Sequence, residues 1–125
     1  MYDKPVYCQY CSGEAEIVSG RKLFPHRPER HWWLLWICYP CDAYVGTHRM
    51  PRGKPLGELA KKELRAMRRQ AHVALDRYWR EGRMSRAHAY LLLSRVLKID
   101  HHKCHIGHFN EAMCRRVIKA CKKGL

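Results

Sequence analysis

Two cysteine pairs with the same two-residue spacer, Cys8-x-x-Cys11 and Cys38-x-x-Cys41, carry the clearest chemistry in the sequence. A two-residue spacer lets both thiolates of one tight turn reach the same ion at about 2.3 Å. Two such turns complete a tetrahedral shell, which suits Zn²⁺ because this ion favours soft thiolates and needs no redox chemistry. Because four thiolates leave no open coordination position, we expect a structural zinc site.

Other interpretations of the cysteine pairs stay open at this stage. Free thiols or a redox pair are alternatives, although a thioredoxin-like motif requires a βαβ context that the sequence lacks. An iron–sulfur cluster also uses four thiolates, but the spacings fit its common motifs less well.

The chain has 7 cysteines, an odd number that cannot be fully paired. Of the remaining three, Cys114 and Cys121 fit the apolar face of a helix and are predicted core residues.

A histidine-rich segment lies in the second half of the chain. Its residues are candidates for a second polar or metal-binding cluster: His101, His102, Cys104, His105 and His108. The spacing matches no compact ligand template, so a capped loop or a phosphate-facing patch is favoured over a catalytic centre.

The charge balance points to an anionic partner. The chain has 125 residues with 25 Lys and Arg against 11 Asp and Glu, which gives a net charge of +14. Such a balance favours nucleic acid, with DNA preferred over RNA. The candidate contacts are Arg21, Lys22, Arg27, Arg30, Lys61, Lys62, Arg65, Arg68, Arg69 and His72. Trp32, Trp33 and Trp36 have faces on which bases could stack, but their position in a predicted strand favours the core.

Two other function classes compete with nucleic-acid binding. The first is a protein-interaction module or inhibitor that docks on an acidic protein surface. The second is a metal-dependent nuclease that uses His72 and Asp76, which lie one helical turn apart. A helix-surface pair explains those two residues more simply. Since acidic ligands are sparse, we expect no enzymatic activity.

The hydrophobic pattern separates the chain into two regions. Residues 1–50 contain predicted strands at 15–19, 32–37 and 44–47, with a loop at 20–30. Residues 56–125 carry helical periodicity, with helices at 56–80, 86–98 and after Asn110. Residues 50–55, with two prolines and a glycine, are a predicted linker. Gly82 is predicted to end the first helix, and Ser85 and Asn110 are the predicted N-caps of the other two. The predicted apolar stripe of the first helix is Ala60, Leu64, Met67, Ala71, Ala74 and Tyr78. We therefore predict an α+β fold in which an N-terminal zinc ribbon packs on a C-terminal three-helix unit.

The same pattern bears on the chain's surroundings. No apolar run approaches the roughly 20 residues of a membrane span, and no secretory signal is visible. We expect a soluble, cytoplasmic protein without a membrane partner, and nothing in the sequence indicates its oligomeric state.

Several motifs resemble the zinc-finger-containing domain family found in phages and prophages. They are the two cysteine pairs, the run Cys41-Asp42-Ala43-Tyr44-Val45-Gly46-x-His48, Pro55-Leu56-Gly57-x-Leu59-Ala60, Leu64-Arg65-x-x-Arg68-x-x-Ala71-His72 and Cys104-His105-Ile106-Gly107-x-Phe109. The resemblance covers nearly the whole chain. It implies a zinc finger, a phage or prophage setting in the host cytoplasm, and a role for His48, His72 and His105 beyond surface polarity. By analogy with small phage proteins, it suggests an action on host transcription or defence, but it implies no settled activity. For the protein-interaction alternative, the resemblance implies that the acidic surface belongs to the host, such as a polymerase or a defence complex.

Overall fold

The computed structural model describes all 125 residues, which form two compact units. The N-terminal unit comprises Met1–Lys62 and the C-terminal unit Glu63–Leu125. The first contains a three-stranded antiparallel sheet and the second contains helices, so the fold belongs to the α+β class as predicted. No helix combines the length and the apolar character needed to cross a bilayer.

The sheet of the N-terminal unit is built from three consecutive strands. They are β1 (Glu16–Ser19), β2 (Leu34–Cys38) and β3 (Ala43–Gly46), in the order β1-β2-β3. All three predicted strands are present, with boundaries shifted by one or two residues. In the central strand, Leu35 and Ile37 are buried, at 2% and 3% exposed. Alternate side chains point to opposite faces, so these two lie together on one face of the sheet.

The chain after β3 returns along the outer edge of that strand. The backbone N–H of Ala60 donates to the carbonyl of Tyr44 and that of Leu56 donates to the carbonyl of Gly46, both at 3.0 Å. Pro55 and Ala60 form isolated antiparallel bridges with this edge, and the chain bends at residues 56–58 between them. The predicted helix start at residue 56 is therefore wrong: the helix begins at Lys62. The observed boundary between units follows Lys62, later than the predicted linker at 50–55.

The segment that joins β1 to β2 is more ordered than the predicted loop. It contains a short helix α1 (Gly20–Leu23) and a 3₁₀ turn (Pro28–Arg30). The amide of Gly20 donates to the carbonyl of Trp33 at 2.7 Å, so the segment is closed at its base. A Cβ at Gly20 would overlap the carbonyl oxygen of Arg30, which explains why glycine occupies this position.

One apolar cluster of the N-terminal unit surrounds the cysteine pairs. Its buried members are Val6, Cys8, Ala15, Cys38, Ala43 and Leu59. Two of the six are cysteines of the Cys-x-x-Cys pairs, and two others are alanines. Because only Val6 and Leu59 among them have larger aliphatic side chains, this cluster buries little apolar area, and additional stabilisation by a metal ion is expected for a unit of this size.

The C-terminal unit contains three helices: α2 (Lys62–Arg80), α3 (Arg86–Leu97) and α4 (Glu111–Lys123). Both predicted N-caps are confirmed. The hydroxyl of Ser85 accepts from the His88 amide at 3.0 Å, and the side-chain oxygen of Asn110 accepts from the Met113 amide at 2.9 Å. Gly82, with φ 78°, follows the end of α2 as predicted.

The buried face of α2 differs from the predicted apolar stripe. Its buried residues are Leu64, Arg68, Ala71 and Leu75. Met67 is only partly buried, although it was predicted to lie on this face. Arg68 is 8% exposed, and its Nε donates to the carbonyl of Phe109 at 3.0 Å. The expectation that Arg68 belongs to a solvent-facing basic surface is therefore wrong. Its guanidinium bonds a backbone carbonyl inside this unit and does not face solvent.

Candidate functional site

The first cysteine pair lies in a tight hairpin near the N-terminus. Tyr7 and Glu14 form an antiparallel bridge, and the Cys8 amide donates to the carbonyl of Gly13 at 2.8 Å. The Ser12 amide donates in turn to the carbonyl of Cys8 at 2.9 Å. This short loop brings Cys11 back towards Cys8, as a metal knuckle requires.

The second cysteine pair forms the turn between β2 and β3. Cys38 ends β2 and pairs with Ala43, the first residue of β3. The Asp42 amide donates to the carbonyl of Tyr39 at 3.1 Å and closes the turn. The sheet therefore fixes the position of this knuckle, since both ends of the turn are ladder residues.

The two knuckles share a backbone feature. The residue after the second cysteine of each pair is left-handed: Ser12 has φ 62° and Asp42 has φ 51°. This conformation turns the chain sharply after the ligand, and it is uncommon for residues with a Cβ, although aspartate tolerates it better than most. The repeated conformation indicates that the two turns are built alike around one centre.

The four thiol groups converge on one point. The Sγ atoms of Cys8, Cys11, Cys38 and Cys41 all lie within 4.8 Å of one another. Sγ of Cys11 and Sγ of Cys38 are 3.6 Å apart. Four sulfurs at about 2.3 Å from a tetrahedral Zn²⁺ would be separated by about 3.8 Å, so the cluster has the size that zinc requires.

Backbone amides support the negative charge that metal-bound thiolates carry. The amide of Tyr10 donates to Sγ of Cys8 and that of Gly13 donates to Sγ of Cys11, both at 3.4 Å. The Gly13 amide, with help from the Cys38 thiol, lowers the pKa of Cys11 to about 7. The hydrogen bond with Cys11, together with burial, raises the pKa of Cys41 to about 12. Four adjacent thiols cannot all ionise without a cation, and a divalent ion removes that restriction.

The two cysteine hairpins and the short sheet define a zinc-ribbon type of metal centre, followed in the chain by helices. The chain belongs to the zinc-finger-containing domain family, whose model matches residues 4–124. Neither a curated protein nor a solved structure matches the chain at a significant level. The donor set itself, four cysteines around one point, fits the zinc ion that the family description implies.

The basic candidates of the N-terminal unit lie on and after α1. Arg21, Lys22 and Arg27 are exposed. Lys22 also places its Nζ 5.4 Å from the ring centroid of Tyr39, and Arg27 lies 3.7 Å from the carboxylate of Glu29. Arg30 is partly buried, with its guanidinium carbon 4.8 Å from the centroid of Phe24. Of these cations, Arg21 and Lys22 come from adjacent positions of one short helix and are the most available to a phosphate.

The basic candidates around α2 separate into an exposed set and a partly buried set. Lys62 and Arg69 are exposed on the helix, and Lys61 is exposed just before it, where its Nζ lies 4.6 Å from the ring centroid of Tyr10. Arg65 and His72 are partly buried. Burial lowers the pKa of His72 and thus favours its neutral imidazole over the cation.

The histidine-rich segment does not assemble as one five-residue cluster. His101 and His102 lie close to Asp100. A carboxylate oxygen of Asp100 is 3.8 Å from Nδ1 of His101. The same carboxylate caps the turn, because it accepts a hydrogen bond from the His102 amide at 2.8 Å. Cys104 is 1% exposed and is a core residue. The segment is thus a capped turn, with His105 and His108 exposed at a ring distance of 6.2 Å from each other.

The late cysteines are packing residues. Cys114 is 0% exposed, as predicted for the apolar face of its helix. Cys121 is partly buried, and burial raises its pKa to about 11. A thiol that resists ionisation is a poor metal ligand and a poor nucleophile, so these residues carry no evident chemistry.

Two tryptophans that the sequence assigned to the core lie on the surface. Trp32 is 60% exposed and Trp33 is 37% exposed. Both precede the observed start of β2 at Leu34, so the strand ladder does not bury them. Trp36, inside the strand, does pack against the core and donates its Nε1 hydrogen to the carbonyl of Gly53 at 2.7 Å. One sequence signal could have placed Trp32 and Trp33 outside the strand: they closely follow Pro28 and its charged neighbours Arg27, Glu29 and Arg30.

Proposed function

We propose that this chain is a nucleic-acid-binding domain, with DNA as the favoured partner, whose N-terminal unit is held together by one structural Zn²⁺. The observation that carries the proposal is a net charge of +14 that includes exposed cations on α1 and α2. A phosphate backbone neutralises such cations and releases its own counterions, which favours association.

The exposed face of α2 is the proposed duplex contact. Lys62 and Arg69 lie about two turns apart, at spacing that places them on the same side of the helix. Val73 lies on that side too and is 62% exposed. The helix thus presents two long cations in a row, each able to reach a phosphate oxygen.

Binding to heterogeneous duplex DNA is expected to weaken steeply with salt. Replacing Lys62 and Arg69 together by alanine should lower the slope of log affinity against log salt by about 2, because each phosphate contact contributes about 1. The loss should be similar on two unrelated duplexes, since phosphate contacts carry no sequence information. Fluorescence anisotropy over a series of salt concentrations measures both quantities.

A matched variant separates a local surface from net charge. Lys119 and Lys123 are exposed on α4, and their joint replacement by alanine removes the same charge as the α2 pair. This control should keep most of the wild-type slope. Equal losses in the two variants would contradict a contact on α2. No binding of wild type at low salt would overturn the proposal and favour the alternative partner, an acidic protein surface.

We further propose that the domain binds nucleic acid without cleaving it. The carboxylate of Asp76 accepts from Nε1 of Trp79 at 3.0 Å and lies 3.8 Å from Arg80, so it is held in local contacts. Supercoiled plasmid and a single-stranded oligonucleotide should remain intact with Mg²⁺ or Mn²⁺. Cleavage that disappears in His72→Ala would show that the domain is a nuclease.

The biological setting is part of the same proposal. The motif resemblance supports a phage or prophage protein that acts in the host cytoplasm, on host transcription or defence. A basic, zinc-stabilised domain is suited to compete there for nucleic acid or for an acidic host protein.

A further inference from the structure

A groove of about 340 Å³ lies in the N-terminal unit and is not used by the metal centre. Its lining includes Trp32, Trp33, His48, Arg49, Arg52 and Leu56. The volume falls at the lower end of the roughly 300–1,000 Å³ typical of sites that enclose small ligands. None of the lining residues is acidic. We call this feature the tryptophan groove.

The aromatic surface of the groove is accessible. Trp32 is the more exposed of the two tryptophans at 60%, and Leu56, which also lines the groove, is 50% exposed. An indole ring buries a large apolar area when it packs, so leaving two adjacent indoles in contact with water costs stability. Exposed apolar surface that is concentrated in one concave place marks a binding site.

Arginines surround these indoles. The guanidinium carbon of Arg49 lies 5.5 Å from the ring centroid of Trp32, and that of Arg30 lies 5.1 Å from the centroid of Trp33. Arg52 is exposed on the groove lining. Aromatic faces flanked by arginines are the combination that holds single-stranded nucleic acid, because bases stack on the rings and phosphates meet the cations.

The groove is far from the cysteine cluster. Trp33 precedes β2, whereas Cys38 is its last residue, and at about 3.3 Å per strand residue these positions are about 16 Å apart. The strand ladder and the bond from the Thr47 hydroxyl to the Leu34 carbonyl, at 2.7 Å, hold the groove at the opposite end of the sheet. The metal therefore stabilises the sheet that carries the groove and does not itself contact a ligand there.

We propose that the tryptophan groove binds an unstacked base of single-stranded nucleic acid, with Trp32 and Trp33 as stacking surfaces and Arg49 and Arg52 on the flanking phosphates. The inference rests on the proposed nucleic-acid function and specifies the form of nucleic acid that this surface takes. A base within a duplex already stacks on its neighbours on both sides, so only a strand with exposed bases can use these rings.

The test compares two short oligonucleotides of equal length and charge, one of thymidines and one of abasic residues. Wild type should bind the thymidine strand about 5-fold to 150-fold more tightly, the range expected for one stacked base, and its tryptophan fluorescence should be quenched. Trp32→Leu and Trp33→Leu should reduce this preference, whereas Trp32→Phe should retain part of it. Arg49→Gln should weaken binding of both oligonucleotides alike, because it removes a phosphate contact.

The control is Tyr7→Leu, which removes an exposed aromatic ring from the first cysteine hairpin, away from the groove. It should keep the wild-type preference for thymidine. Equal wild-type affinity for the two oligonucleotides would overturn the groove as a base site while leaving phosphate binding elsewhere intact. Binding to neither oligonucleotide nor duplex would overturn the nucleic-acid function itself. Retention of the full preference in the Trp32→Leu, Trp33→Leu double variant would show that bases stack elsewhere.

Discussion

Replacement of Cys8 by serine is expected to abolish stoichiometric zinc binding and to unfold the sheet of the N-terminal unit. Sγ of Cys8 lies within 4.8 Å of the other three cysteine sulfurs, and the residue is 2% exposed in a core cluster of only six buried residues. Structural zinc sites in small domains contribute about 10–16 kcal/mol of binding free energy, which exceeds what such a core supplies. Loss of one ligand therefore removes most of the free energy that holds the two hairpins together.

Elemental analysis and amide hydrogen exchange measure this outcome in the full chain. Wild type should contain one zinc per chain, and the amides of β2 and β3 should exchange slowly until a chelator is added. Cys121→Ser is the control, because it makes the same chemical change at a partly buried cysteine that lies outside the cluster. It should keep its metal. Full zinc content and unchanged protection in Cys8→Ser would show that the site is assigned to the wrong residues.

Replacement of Gly20 by alanine is expected to destabilise the N-terminal unit by about 3 kcal/mol, the upper range for overpacking a closed site. The new Cβ would overlap the carbonyl of Arg30 and approach Cβ of Trp33 to 3.2 Å. Relief requires a backbone shift, since the obstructing atoms are main-chain atoms. That shift would break the 2.7 Å bond from the Gly20 amide to the Trp33 carbonyl and move the tryptophan groove.

Chemical denaturation monitored by tryptophan fluorescence measures the loss. Ser19→Ala is the neighbouring control: the side chain is exposed and makes no capping bond, so its removal should cost little. A Gly20→Ala variant as stable as this control would show that the segment relaxes without strain. Unchanged zinc content in both variants would place the damage at the groove end of the sheet.

The metal cluster is the part of the site that the sequence predicted best. A Cys-x-x-Cys turn is a local feature, because two cysteines separated by only two residues in one tight turn present both thiols on the same side. The strands on either side of the second pair, β2 and β3, were predicted from their own composition, and their pairing then positions Cys38 and Cys41. The helix caps at Ser85 and Asn110 were predictable for the same reason, since a cap is a contact between residues three apart.

Features that depend on long-range contacts needed the tertiary structure. Residues 56–60 were predicted to open the helix, but β3 offers Leu56 and Ala60 hydrogen bonds along its edge, and the helix starts only at Lys62. Arg68 was predicted in the basic surface because it recurs with Lys61 and Arg65 at helical spacing, yet the Phe109 carbonyl, 41 residues away, accepts its Nε–H inside the C-terminal unit.

The two tryptophans show the same limit at the proposed base site. Composition assigns Trp32 and Trp33 to a strand and hence to the core, but the ladder begins at Leu34. Their exposure follows from how the segment between β1 and β2 closes on Gly20, whereas Arg49 reaches the ring of Trp32 from the segment after β3. Residue types and short spacings thus determined the metal chemistry. Which cations and aromatic rings reach solvent was decided by contacts between segments distant in sequence, which no local pattern encodes.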